Sequence, residues 1–127
     1  ETPKLKAVLG CELNVCKDHT DKTNKDHGEQ VPFLCKNKNG FHNLAKLSSL
    51  GNIAGFYYVP RVDKNLITEH KEDLIALTGS TYGIIPNLIL NVGEGQAEEE
   101  FKWWVDTFGD DFYVEINRHN LDEERHV

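Results

Sequence analysis

The sequence predicts an α/β domain in which mostly parallel strands alternate with helices. Three observations carry that expectation. Short runs such as residues 6–15 and 112–117 alternate apolar with polar side chains, as a strand does. Stretches such as 97–108 repeat their apolar residues at helical spacing. Glycines at Gly51, Gly79 and Gly109 stand where one pattern gives way to the next.

Taken in order, residues 6–15 place Ala7, Leu9, Cys11, Leu13 and Val15 on one face of a strand and Glu12 and Asn14 on the other. Residues 17–28 are polar and aperiodic and read as a loop. Residues 31–35 then form a short buried strand. Residues 40–51 read as a helix with Phe41, Leu44, Leu47 and Ser48 on its apolar stripe and Gly51 as its stop. Asp63 is placed to cap a short helix running through His70, with Leu66 and Ile67 inward. Residues 73–78 are nearly all apolar, which predicts a strand buried on both faces. After the turn Thr78-Gly79-Ser80 comes a helix carrying Ile85, Leu88, Ile89 and Val92. Pro86 requires its own place to be in that helix's first turn, and Gly93-Glu94-Gly95 ends it. In the next helix Ala97, Phe101, Trp104, Val105 and Phe108 line up, Glu98, Glu99 and Glu100 favour its positive N-terminal end, and Gly109 closes it. Phe112, Val114 and Ile116 then alternate with Tyr113, Glu115 and Asn117 as a last strand. Residues 121–125 start a further helix that the end of the chain at Val127 interrupts.

Fourteen Lys and Arg against 21 Asp and Glu leave a formal charge of −7. Such a balance opposes a surface that embraces nucleic acid on all sides, since phosphate binding depends on Lys and Arg, though a local basic patch stays open. No run approaches the roughly 18 apolar residues of a membrane span. The start Glu1-Thr2-Pro3-Lys4 also lacks the design of a signal peptide. The expectation is a cytoplasmic protein without membrane contact. Cys11, Cys16 and Cys35 are odd in number and contain no C-x-x-C pair, which predicts reduced thiols.

Ligand sites of parallel β-α units lie at the carboxyl ends of strands, which singles out Glu12, Ser80, Glu115, Asn117 and His119. Glu12, a lone carboxylate opposite an apolar row, suits a metal or a general base, or a solvated or salt-bridged side chain. Glu115, Asn117 and His119 alternate along one side of a strand tip and are candidate cleft lining. Thr78-Gly79-Ser80 can cradle a phosphate at a helix start or simply cap it. Asp18-His19 and Asp26-His27 offer carboxylate and imidazole ligands in one loop, either for a surface metal or as solvated polar groups. Cys11 and Cys16 diverge from the strand and read as core and rim thiols. Trp103 and Trp104 are about 100° apart on a helix, so only one faces the core, and Trp103 is read as a boundary residue.

Several motifs in order then give a resemblance. They are Val8-Leu9-Gly10-Cys11-Glu12, Leu34-Cys35-Lys36-Asn37, Asn43-Leu44-Ala45-Lys46-Leu47, Gly55-Phe56-Tyr57-Tyr58-Val59-Pro60-Arg61-Val62-Asp63-Lys64, Leu74-Ile75-Ala76-Leu77-Thr78-Gly79 and Phe108-Gly109-Asp110-Asp111-Phe112-Tyr113-Val114-Glu115-Ile116-Asn117-Arg118-His119. Across them the chain resembles the PHP (polymerase and histidinol phosphatase) domain of the C-family replicative polymerases, the bacterial DNA polymerase III alpha subunits. The resemblance covers nearly everything except residues 17–29. It implies that residues 1–127 are an internal segment of a single PHP domain, the central portion of a distorted seven-stranded β/α barrel. The family's opening His-x-His and following Asp-His motifs are expected before Glu1, and its closing Asp-x-His after Val127. The polymerase core is likewise expected outside this chain.

Metal-binding members of the family take ligands from a Glu, a His and a Cys within this stretch. The resemblance maps them onto Glu12, Gln30 and Ser80, so that only the first keeps its residue type. The spacing to Lys36-Asn37 puts Gln30, not His27, at the His position. An amide and a hydroxyl are poor ligands for zinc or manganese beside imidazole and thiolate. The resemblance therefore implies a degenerate site. No cofactor is expected for this segment, against zinc or manganese in the family's site and magnesium in the parent polymerase. As partners it implies the rest of the alpha subunit, the proofreading exonuclease subunit and other replisome subunits, with DNA reached through the parent. The alternative is a metal-dependent phosphoesterase or 3′-5′ proofreading exonuclease, whose clustered metals activate water and clamp phosphate.

Overall fold

The structure, a computed structural model, describes residues 4–127; Glu1 to Pro3, part of the stretch read above for a leader, lie outside it. The elements are β1 (Gly10–Val15), β2 (Glu29–Cys35), α1 (Lys38–Ile53), α2 (Lys64–His70), β3 (Leu74–Leu77), α3 (Ile84–Asn91), α4 (Glu94–Phe108), β4 (Phe112–Tyr113) and α5 (Asp122–His126). No helix among the described residues is long and apolar enough to cross a membrane.

The strands form one mixed sheet in the order β1-β2-β3-β4. β1 and β2 are antiparallel, with Glu12 opposite Pro32 and Asn14 opposite Gln30. β2 and β3 are also antiparallel, with Phe33 opposite Ala76. Only β3 and β4 run parallel, with Leu77 opposite Tyr113. This corrects the expectation of mostly parallel strands. Alternation along the chain reveals which face a strand buries, but direction is set by how each connection returns. The β1 to β2 connection contains no helix and comes straight back antiparallel, as a connection without a crossover does.

One face of the sheet and all four longer helices share a core. Leu13, Val15, Val31, Phe33, Leu74 and Ala76 meet Leu44 and Leu47 of α1, Leu66 and Ile67 of α2, Ile85 of α3, and Ala97, Trp104 and Phe108 of α4. Trp104, 1% exposed, stacks on Phe108 at 5.6 Å and on Phe112 at 6.0 Å, with Phe33 tilted against it at 6.1 Å. Burying side chains of this kind is worth about 1.5–3 kcal/mol each. The opposite face, bearing Glu12, Asn14, Gln30 and Pro32, contributes nothing to that core and is exposed or half-buried. β3 is accordingly buried at Leu74 and Ala76 but only half-buried at Ile75 and Leu77, not covered on both faces.

Several boundaries move for identifiable reasons. β1 starts at Gly10, because β2 ends opposite Leu9 and leaves residues 6–8 without a partner. α1 begins earlier, at Lys38, where the Asn37 side chain accepts the Gly40 N–H at 3.0 Å. It then runs through Gly51 instead of stopping there. A β-carbon at Gly51 would lie 3.3 Å from the Arg61 carbonyl oxygen and from Val62 Cγ1, so this glycine allows α1 to press against the 61–62 backbone. Gly51 and Gly40 replace Ser48 and the exposed Phe41 on the buried stripe. α2 runs to His70 under the Asp63 cap, which accepts the Leu66 N–H at 3.0 Å, and Pro86 is the third residue of α3, inside its first turn. α3 stops at Asn91, leaving Val92 exposed, and Val92 and Gly93 separate it from α4. Val105 lies outside the core. β4 has two residues instead of six, since β3 ends at Leu77 and the chain turns at Gly79, φ 79°. Val114 and Ile116 are 62% and 85% exposed.

Candidate functional site

At the carboxyl end of β3 a cavity of about 540 Å³ opens between the 78–81 turn, α3, α4 and the extended residues 114–117. Ser80, Glu115 and Asn117 line it, with Ile85, Ile89 and Phe101 in its apolar wall. The Thr78 hydroxyl accepts the Glu115 N–H at 2.9 Å, and Asn117 Nδ2 donates to Glu115 Oε1 at 3.1 Å. His119 lies outside the cavity. Its Nδ1 meets Glu124 Oε1 at 2.7 Å, and its backbone N–H donates to Glu124 Oε2 at 2.6 Å. These donors hold the Glu124 carboxyl below the ordinary carboxylate range. Ser80 does not cap α3: Gly83 occupies the cap position, and the helix starts four residues beyond Ser80.

Glu12 sits elsewhere, exposed beside a recess of about 160 Å³ that also involves Asn14, Ser48, Asn52 and Pro60. Gln30, opposite Asn14, shares Glu12's face of the sheet. The 78–80 turn approaches Gln30 closely, for a β-carbon at Gly79 would lie 3.3 Å from the Gln30 carbonyl oxygen and from Pro32 Cδ. Glu12 and Ser80 nonetheless line separate cavities.

The third assembly is the loop between β1 and β2. Arg61, 1% exposed, sends its guanidinium into that loop and donates to the carbonyl oxygens of Gly55 (2.9 Å), Asp26 (2.7 Å), Asp21 (2.9 Å) and His19 (3.2 Å). The planar fork of five donors suits this role. Lys22 Nζ adds bonds to the carbonyls of His19 (3.2 Å), Ala54 (2.9 Å) and Phe56 (2.8 Å). Asp63, 2% exposed, accepts from the His19 backbone N–H at 3.1 Å and pairs with His19 Nδ1 while capping α2. Burial pushes the Asp63 carboxyl up, but the His19 and Leu66 donors outweigh it, and its pKa ends below the ordinary range. Asp18 is also lowered, by the Thr20 hydroxyl and N–H, and Asp21 by the corresponding groups of Thr23.

One ligand atom from each of Asp18, His19 and Asp63 falls within 4.8 Å of the other two. Asp26-His27 is not part of this group: Asp26 accepts the N–H groups of Lys17 and Gly28, and the His27 ring lies 5.8 Å from that of Tyr58. Periodicity and spacing marked Asp63 only as a cap and passed over Arg61, because the partners of both lie some 35 to 44 residues away in sequence. The thiols are dispersed, Cys11 exposed, Cys16 buried and Cys35 half-buried. Trp104 faces the core, while Trp103 sits at its boundary under Lys64 Nζ, 4.6 Å from the ring centroid.

Comparison with known sequences decides the family, because residues 1–119 match the PHP domain. The chain belongs to the PHP domain family. Its relatives include proteins named DNA polymerase III subunit alpha. The one from Treponema pallidum (strain Nichols) is 38% identical over 97% of this chain and 11% of its own length. That from Chlamydia trachomatis is 35% identical over 95% and 10%, and that from Aquifex aeolicus 37% over 94% and 11%. This PHP domain chain thus spans about a tenth of the length of the curated relatives it matches. Glu12, Gln30 and Ser80 lie on β1, on β2 and in the turn after β3 of this PHP domain chain.

Proposed function

We propose that this chain is a section of the PHP domain of a replicative DNA polymerase III alpha subunit that supports the polymerase core and holds partners without doing chemistry itself. The observation that carries the reading is the donor set at the family's ligand positions, where Gln30 and Ser80 accompany Glu12. An amide oxygen and a hydroxyl do not fit zinc or manganese held by imidazole and thiolate in metal-binding members. That Glu12 and Ser80 open onto different cavities supports the same reading. In this proposal the four-stranded sheet is part of a distorted seven-stranded barrel, and the face bearing Glu12 and Gln30 is its interior. DNA synthesis, with magnesium, belongs to the parent polymerase, and the proofreading exonuclease subunit is a partner.

Metal analysis of the intact protein tests the proposal. The expected result is no zinc or manganese that depends on this site. A stoichiometric ion lost on Glu12→Gln would overturn it and restore the reading as a metal-dependent phosphoesterase or 3′-5′ exonuclease. The one observation on that side is the Asp18, His19 and Asp63 group. Asp63 there already accepts three donors, and the cationic Arg61 and Lys22 both bond the His19 carbonyl, which opposes a metal cation.

A further inference from the structure

Three large apolar side chains stand out to solvent where α1 ends and the chain turns back: Ile53, Phe56 and Tyr58 are 82%, 52% and 66% exposed. The turn that carries them is rigid by construction. Lys22 Nζ donates to the carbonyls of Ala54 and Phe56, Arg61 Nε donates to that of Gly55, and the Ala54 and Gly55 N–H groups both return to the Leu50 carbonyl. A β-carbon at Gly55 would collide with the Arg61 carbonyl oxygen, so only glycine lets the chain pass there. Tyr58 holds a left-handed φ of 65°, an uncommon conformation for an aromatic residue. Its ring stands edge-on to Tyr57 at 4.7 Å, flanked by Lys25 Nζ and the His27 ring, each at 5.8 Å. The Tyr57 ring in turn lies 5.4 Å from the Arg61 guanidinium.

Strained backbone persists only where its surroundings over-determine it, and it gathers at places that bind or switch. Apolar side chains fixed in the open on such a backbone mark a contact site. The carbonyls of Ala54, Gly55 and Phe56 already have donors, so this surface asks to be covered by side chains and not completed by a strand. Two quantities decide what covers it. Three side chains with these exposures offer roughly 400 Å², about half of the 800 Å² or so that each partner buries in a stable complex of separate proteins. The relatives, by contrast, extend for roughly nine-tenths of their length beyond the stretch this chain covers. A tethered segment docks at an effective concentration near the millimolar range, for which a small preorganised patch suffices.

We propose that the turn bearing Ile53, Phe56 and Tyr58 seats an apolar segment of the same polypeptide that lies outside residues 1–127. The clamp of Arg61 and Lys22 serves this contact by fixing the turn before the segment arrives, so that docking costs little further order. The inference rests on the core-supporting reading above and names the surface through which the support is given.

The test places the photo-cross-linking residue p-benzoylphenylalanine at position 58 of the intact protein and maps its products by mass spectrometry. The expected product is an intramolecular cross-link to residues of the same polypeptide outside 1–127, at a yield independent of protein concentration. The double variant Ile53→Ser with Phe56→Ser lowers that yield roughly tenfold. Both side chains are exposed, so the fold itself survives their loss. The proposal is overturned by a cross-link to a second copy or to a separate protein, by cross-links confined to residues 1–127, by no cross-link at all, or by a yield that the double variant leaves unchanged. Each of those failures leaves standing the scaffold reading, which rests on the donor set at Glu12, Gln30 and Ser80 and has its own metal test.

Discussion

The β1 to β2 loop and the tail beyond β4 are both irregular backbone, yet they are held in opposite ways. In the loop, the carbonyls of His19, Asp21 and Asp26 are gathered by the buried Arg61 guanidinium, with Lys22 also on His19, and the Asp63 carboxylate accepts three donors. Residues 114–117 have two hydrogen bonds to side chains, one donated by the Glu115 N–H to the Thr78 hydroxyl and one by Asn117 Nδ2 to Glu115, with Val114 and Ile116 exposed. Irregular backbone is stable where its polar groups find internal partners. The loop meets that condition with many internal partners, whereas residues 114–117 meet it with two.

Substitutions sharpen the contrast, beginning with the largest effect. Trp104→Ala, in the core both regions lean on, is expected to cost about 3–5 kcal/mol in equilibrium denaturation. Arg61→Ala comes next, at about 3 kcal/mol, through buried carbonyls left without donors. Amide exchange should then quicken across residues 17–28 and stay unchanged at 114–117; a loop that kept its protection would break the comparison. Asp63→Ala is expected to cost about 1–2 kcal/mol as a lost cap.

Asp63 also predicts a pH dependence. Its folded pKa lies below the unfolded value of about 3.9, so the unfolded state binds the proton more readily. The stabilisation is present above about pH 5 and is lost as pH falls through the folded value. Asp63→Asn should flatten the acid limb of a urea-midpoint profile, and an unaltered limb would assign that limb to other carboxylates. The smallest effect is at the tail: Ile116→Ser should change stability by less than about 0.5 kcal/mol, and a larger loss would show that Ile116 is packed.

Much of the fold was legible in local pattern. The Asp63 cap, the inward Leu66 and Ile67, Pro86 in a first helical turn and Trp104 chosen over Trp103 each follow from spacing within a few residues. Gly51 misled as a helix stop, because its reason for being glycine is the 61–62 backbone pressed against it. The tail misled as a strand, because alternation of Val114 and Ile116 says nothing about whether a partner strand reaches that far. Among the candidate residues, Glu12, Ser80, Glu115 and Asn117 were selected by their place at strand ends, but which of them share a cavity depends on the register of strands far apart in sequence.

By itself the sequence determined the α/β class, the presence of the helices with the larger of their buried residues such as Leu44, Leu47, Leu66, Ile67, Trp104 and Phe108, and, through motifs in fixed order, the family. Only the tertiary structure decided that the sheet is mixed, that Arg61 gathers a loop some 40 residues away, and that Glu12 and Ser80 line separate cavities. The physical reason is range. Periodicity and capping act within a helical turn or a strand, whereas strand direction, buried charge and cavity walls arise from contacts between segments whose separation leaves no local trace.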